Sequence, residues 1–389
     1  MNPKERVRRA IAHAEPDRVP VFELTINSPA ASDIMGRQMY VGFGGWLAGK
    51  TFSEWLMEDR ALELTLKILQ DTIDLYAHLE LDIFPLPPLP FTNETVTPAG
   101  ENLWKYADPD SGFWRVIKYH PESDYHSEID SQIKQESLPA LTEYVEWVEQ
   151  HPPLGSPDTV AGLKAILEPV QEKFFILGLA DILFPTDASW LPLFLETMAL
   201  EPDLAERYLV ATTTAMLELI DSQAQAGVDG FIGGTDLAHH SSTLVSPAMF
   251  RRFLFPQLRR ISERCHEHGL PFFKHTDGNI QGIEEEFLLG CGFDGYHAIE
   301  PSAGMDIARL KRQYGERITL LGNIDCGDLL TNGMKEEIAV SVKECIRRVA
   351  PGGGYVLSSS NSIHSGISAA NFLEMLRAAR EYGVYPISA

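Results

Sequence analysis

Short apolar runs bounded by turn residues recur along the chain, and longer segments in which apolar residues return at helical spacing lie between most of them. This pattern fits a parallel sheet with crossover helices, because strands covered on both faces read as continuous apolar runs. Eight candidate strands are found: Val19–Thr25, Leu81–Pro85, Phe174–Leu177, Gly230–Gly233, Pro271–His275, Gly295–Ala298, Thr319–Gly322 and Tyr355–Ser358. Helices are predicted over Phe52–Leu79, Pro202–Ala226, Pro247–His268, Ile280–Leu289, Asp306–Tyr314 and Lys335–Val349. Eight strands is the number an α/β barrel requires, so the pattern predicts the α/β class and one (β/α)8 TIM barrel over residues 1–389.

Three segments add to this frame. Met1–Ala14, with Lys4, Arg6, Arg8 and Arg9, reads as a short charged N-terminal helix. Thr95–His120 alternates apolar and polar residues around the turn Asp108-Pro109-Asp110-Ser111-Gly112. That alternation predicts a β-hairpin inserted after the second strand, carrying Trp104, Tyr106 and Trp114, which either caps the barrel mouth or packs as a second layer. Glu149–Asp158, with Pro152, Pro153 and Pro157, predicts a flexible connection within a βα unit rather than between domains.

Composition narrows the function classes. The 55 acidic residues against 32 basic ones give a net charge of −23, a field that repels nucleic acid and anionic membrane surfaces. Cys265, Cys291, Cys326 and Cys345 show no paired spacing, which argues against a disulfide framework or a zinc knuckle and for a reducing compartment. The first residues lack the apolar stretch of a signal peptide, and no run approaches the ~20 apolar residues of a membrane span, so a cytoplasmic location is expected.

In a barrel of this kind the residues just after each strand share one rim, where catalysis resides. Those positions hold Asn27, the proline-rich loop Pro85–Pro90, Asp181, then Asp236 with His239 and His240, then His275 with Asp277. His297 with Glu300, Asn323 with Asp325 and Cys326, and Asn361 with His364 follow. Five of the 12 histidines fall there, and such a concentration on one face points to a site. Taken singly, each of these residues also reads as an ordinary cap or loop residue. His275 and Asp277 are the sharpest pair: a two-residue step after an apolar run turns both side chains the same way. Imidazole and carboxylates suit a zinc ion, and they equally suit metal-free acid–base work; the sequence leaves both open. The glycines Gly233-Gly234 and Gly352-Gly353-Gly354 complete no phosphate-binding motif and read as turns.

Pro3-Lys4-Glu5-Arg6-Val7 with Glu15-Pro16-Asp17-Arg18-Val19-Pro20 resembles the amino-terminal signature of the uroporphyrinogen decarboxylase superfamily. His275-Thr276-Asp277-Gly278-Asn279, Gly322-Asn323-Ile324-Asp325 and the closing glycine-rich strand and loop ending at Asn371 resemble its later motifs, in family order. The resemblance implies a barrel with a rim site and two enzyme classes, porphyrinogen decarboxylases and methyltransferases that use a corrinoid. Two departures weigh against the first class. Phe22-Glu23-Leu24-Thr25-Ile26-Asn27 stands where decarboxylases carry an arginine-containing loop, with Arg37 alone nearby, and Asn361 stands at the late histidine. The thiol-methylating members bind zinc through a His-x-Cys pair and a later Cys; here the positions read His275-x-Asp277 and Asn361.

The resemblance therefore implies a component of an O-demethylase, closest in character to the corrinoid-dependent methyltransferases, which passes a methyl group from a small methoxylated or methylated donor to a corrinoid protein. On this reading His275, Asp277, Asp236 and His239 are catalytic, Asn27, His297, Glu300, Asn323 and Asn361 shape the substrate pocket, and His275 with Asp277 would hold zinc if a metal takes part. A homodimer is implied in the same way. The competing readings are a decarboxylase and a barrel that only binds a tetrapyrrole, a corrinoid or a partner protein.

Overall fold

The computed structural model describes residues 1–87, 89, 92–151 and 157–387. The proline-rich loop Pro85–Pro90 and the connection Glu149–Asp158 therefore fall partly outside the described residues. Eleven strands are found among the described residues: β1 (Ile83–Pro85), β2 (Thr95–Gly100), β3 (Leu103–Ala107), β4 (Trp114–His120), β5 (Tyr125–Ser131), β6 (Phe175–Leu179), β7 (Gly230–Gly233), β8 (Phe272–Thr276), β9 (Gly295–Ala298), β10 (Thr319–Leu321) and β11 (Tyr355–Val356).

β1 and β6 to β11 form one parallel sheet in chain order, with registers such as Ile83 beside Phe175 and His275 beside His297. The sheet curls because alternate residues pack on each other inside it. Phe175, Leu177, Ile232, Phe273, Leu321 and Val356 form one inner cluster, whereas their neighbours Ile176, Phe272 and Leu320 pack outward into the larger core shared with the helices.

Helix Pro3–Ile11 is fixed by a capping box between Asn2 and Glu5 and contributes Val7 to the inner cluster, so it closes the amino-terminal end of the sheet. Arg6 and Arg18 converge on the fully buried Asp82, with Arg6 Nη1 at 2.6 Å and Arg18 Nη1 at 2.7 Å from its carboxylate. Arg6 also grips Asp17 and holds that carboxyl well below its usual range. These contacts give the Arg6, Asp17 and Arg18 of the amino-terminal motif a structural reason.

The expected first strand Val19–Thr25 is not continuous. Pro20 has no N–H to give, and the Val21 N–H goes to the Asp82 carboxylate at 2.8 Å instead of to a strand carbonyl. Only isolated bridges remain, Val21 with Leu357 and Ile26 with Ile363. Even so, this segment touches both sheet edges: the Pro20 and Val21 carbonyls accept from Leu357 and Asp82.

The expected hairpin at 95–120 is part of something larger. β2 to β5 form a four-stranded antiparallel meander. Its β3–β4 turn is the expected one, with Asp108 Oδ1 accepting from the N–H groups of Asp110 and Ser111 at 2.7 and 2.9 Å. Trp104 and Tyr106 are buried in it against Trp46 and Leu56. Its far end is tied down by Asp124, which accepts from Trp46 N–H and from Ser365 Oγ, and by Glu128, which accepts from Ser189.

Helices Pro202–Ala226 and Lys335–Val349 stand where predicted. The predicted Pro247–His268 is interrupted by a π-helical stretch at Phe250–Leu254, because Pro256 offers no N–H to the preceding turn. Phe52–Leu79 is divided into Phe52–Met57 and Ala61–His78, and Ile280–Leu289 is shortened to Glu284–Leu288. No helix among the described residues is long and apolar enough to cross a membrane.

Candidate active site

The carboxyl ends of β7, β8 and β9 bring three side chains together. One ligand atom each of Asp236, His275 and Asp277 lies within 4.8 Å of the others, a spacing that could hold a metal ion. His275 Nε2 stands 3.4 Å from Asp236 Oδ1 and 3.7 Å from Asp277 Oδ1. The Asp277 N–H donates to Asp236 Oδ1 at 2.8 Å, which locks the two loops to each other. Gly278 makes this approach possible. Its φ is +83°, and a Cβ there would lie 2.6 Å from the backbone of Ala238 and His239.

A hydrogen-bonded relay stands at the back of the site. His275 Nδ1 meets His297 Nδ1 at 2.8 Å, and His297 Nε2 meets Ser358 Oγ at 3.1 Å. Burial, together with the neighbouring His275, holds His297 well below the usual histidine range, so it is uncharged. Ser358 Oγ–H is committed to the Ser359 carbonyl, so His297 Nε2 must donate to it. His297 Nδ1 then accepts from His275 Nδ1–H, and this tautomer aims the His275 Nε2 toward the two carboxylates.

Burial opposes charge on His275, but Asp236 and Asp277 outweigh it and raise its pKa; Asp236 is correspondingly lowered through its contact with His275. Burial, with Asp236 and Glu300 adding repulsion, pushes the Asp277 carboxyl up to about 6. Asn361 Nδ2 donates to Asp277 Oδ2, whereas Asp277 Oδ1 is buried with no hydrogen-bond partner. An unpartnered buried oxygen beside a free imidazole nitrogen is the arrangement that a borderline cation such as zinc, accepting N and O donors, would satisfy.

The remaining sequence candidates take other places. His297, expected to shape the pocket, is fully buried behind His275. His239 is exposed and does not join the three ligand atoms; its carbonyl instead accepts from the Asn279 N–H. Glu300 accepts from the Gly278 N–H at 2.9 Å and from Ser302 Oγ, and Asn323 donates to the Ile299 carbonyl at 2.7 Å. Asn27 accepts from the Phe43 N–H and is buried. These three brace rim loops.

Other residues were not singled out by the sequence reading. Lys274 is fully buried and bonds Asp181 Oδ2 at 2.7 Å and the Thr235 carbonyl at 2.8 Å, so it pins the loop that leads to Asp236. Its signal was a lysine inside the run Phe272-Phe273. Glu23 is fully buried, accepts from Ser359 N–H and Oγ at 2.9 and 2.7 Å, and burial pushes its carboxyl up to about 8. Beside the site, a chamber of about 790 Å³ opens under the meander. It is lined by β4, β5 and residues 183–190, and its floor reaches Gly234 and Thr235, the two residues before Asp236.

The uroporphyrinogen decarboxylase family model matches residues 191–382, a stretch that contains Asp236, His275, Asp277, His297 and Asn361. This match, over just under half of the chain, supports a place in the uroporphyrinogen decarboxylase superfamily. Curated relatives include the uroporphyrinogen decarboxylases of Coxiella burnetii, 23% identical over 188 residues (47% of this chain and 49% of that one), and of Aromatoleum aromaticum, 26% identical over 175 residues (43% and 46%). The chain spans about half the length of the curated relatives it matches. A methyltransferase from Methanosarcina mazei shares the fold, with a TM-score of 0.64 and 19% identity over 98% of this chain and 99% of that one.

Proposed function

We propose that this superfamily member is a cytoplasmic methyltransferase that moves a methyl group from a small methoxylated or methylated molecule to a corrinoid protein, as the donor-specific component of a demethylase. One (β/α)8 barrel domain over residues 1–389 would carry it, with the segment 19–25 as the eighth stave. The observation that carries this reading is the Asp236–His275–Asp277 group with its unpartnered Asp277 oxygen.

A reduced corrinoid is itself a strong nucleophile, so the barrel has only to orient the donor and stabilise the group that leaves. His275 Nε2, Asp236 and Asp277 would hold a zinc ion, which would supply a Lewis acid for that leaving group. His297 fixes the ring of His275, and Asn361 fixes Asp277. Without a metal, His275, whose pKa Asp236 and Asp277 raise against burial, would serve as the proton donor to the leaving atom.

The names of the curated relatives favour a decarboxylase as the second reading. Against it, Arg37, the arginine nearest to the expected carboxylate-gripping loop in sequence, is committed to Asp71 and Asp74 at 2.6 and 2.9 Å. Bound metal per chain, measured for wild type and His275→Ala, together with methylation of reduced cobalamin followed by its absorption spectrum, tests the proposal. Methylation that is lost in His275→Ala supports it, and zinc lost with it assigns the metal. A wild-type protein that methylates no reduced cobalamin and decarboxylates a porphyrinogen overturns it.

A further inference from the structure

Resting on the methyl-transfer reading, we propose that the methyl donor is an N-methylated amine, bound as its ammonium cation in the chamber under the meander. The first ground is the lining. Phe113, Tyr125, Tyr144, Phe184 and Trp190 all face the chamber. Phe113 and Tyr144 meet nearly at right angles with centroids 5.0 Å apart, and Tyr144 and Trp190 do so at 6.3 Å, so the rings line the chamber at different angles. Such an arrangement attracts a cation through the ring quadrupoles, by about 0.5–2 kcal/mol per contact.

The second ground is charge. Arg115 is the one guanidinium in the lining, and it is held by Glu94 through two bonds of 3.2 and 2.8 Å. Burial lowers the pKa of His126, so that ring is neutral. Asp187 is exposed into the chamber and has no hydrogen-bond partner among the described residues. Among the described residues Glu128 accepts only from Ser189, and only through Oε1. Glu128 and Asp187 therefore stand in the lining with no ion-pair partner within 4 Å among the described residues. An anionic methoxybenzoate would meet repulsion, a neutral ether would gain the rings alone, and an ammonium ion would gain both.

The chemistry balances without an added acid. An aliphatic amine with a pKa of about 10 enters already protonated. As the C–N bond breaks, its electron pair stays on nitrogen and a neutral amine leaves. The methyl carbon forms its new bond to the reduced cobalt of the partner corrinoid protein, which supplies both electrons.

The test uses the full chain and calorimetric titration with three probes: choline, its neutral isostere 3,3-dimethylbutan-1-ol, and 4-methoxybenzoate. Choline is expected to bind roughly tenfold more tightly than the isostere, with 4-methoxybenzoate weakest. Asp187→Asn is expected to weaken choline at least threefold and leave the isostere unchanged, while circular dichroism shows the fold intact. Equal affinity for choline and the isostere, preference for 4-methoxybenzoate, or an Asp187→Asn variant with undiminished choline binding each overturns the proposal. Methylation of reduced cobalamin from an aryl methyl ether but from no methylamine overturns it while leaving the methyl-transfer reading intact. If no donor methylates cobalamin, that reading falls as well.

Discussion

The two ends of the seven-stranded sheet handle buried charge in opposite ways. At the amino-terminal end, Asp82 is fully buried and receives Arg6, Arg18 and the Val21 N–H. At the carboxyl end, Asp277 keeps one buried oxygen with no partner, and its carboxyl is raised to about 6. A satisfied buried charge has nothing left to bind and serves to hold the fold together. An unsatisfied one is destabilising unless a ligand, metal or proton completes it, and a barrel concentrates such groups where chemistry occurs.

Three measurements would break or sharpen this contrast. The largest effect is expected from replacing His275 and Asp277 together by alanine. Methyl transfer should fall by about 10²–10⁴-fold, and the urea midpoint should hold or rise, because an uncompensated buried group has been removed. A midpoint that drops steeply would make the rim a structural element and erase the difference between the ends. Next, Arg6→Ala strips a main partner from Asp82 and should lower folding stability by about 3–5 kcal/mol, with activity per folded molecule unchanged. Unaltered stability would mean that the floor charges are not coupled as their geometry implies.

Measured per pH unit, the smallest effect concerns Glu23. Its folded pKa of about 8 lies above the ordinary value, so its proton is held more tightly in the folded state. Stability from this proton is present below pH ~4 and is lost as pH rises toward 8, by up to about 1.4 kcal/mol per pH unit. Glu23→Gln cannot titrate, so its stability relative to wild type should grow between pH 5 and pH 8. A pH-independent difference in urea midpoint would show that Glu23 is already ionised.

Much of the sheet could be read directly, because buried parallel strands announce themselves as apolar runs; Gly230–Gly233 and Gly295–Ala298 match to the residue. The first strand misled because its apolar pattern is real while its N–H groups are diverted by Pro20 and Asp82. β5 gave no signal, since Tyr125-His126-Ser127-Glu128-Ile129-Asp130-Ser131 has no apolar face. Within the site, the His275–Asp277 step was legible from strand periodicity, and Asp236 from its place after a strand. The burial of His297, the pinning by Lys274 and the chamber lining were not. Each depends on which distant segment packs against the residue, as Lys274 does on Asp181, 93 positions away.

The stretch matched by the family model contains Asp236, His275 and Asp277 and the hydrogen-bond partners His297 and Asn361, whereas the meander at 95–131 lies outside it. Reactive centre and roof are thus written on separate lengths of the gene. If the chamber admits the substrate, substitutions in β4 and β5 would redraw what enters it without altering Asp236, His275, Asp277 or either of these partners. On the proposed function, a lineage would reach new donors by editing one passage and leaving the other untouched.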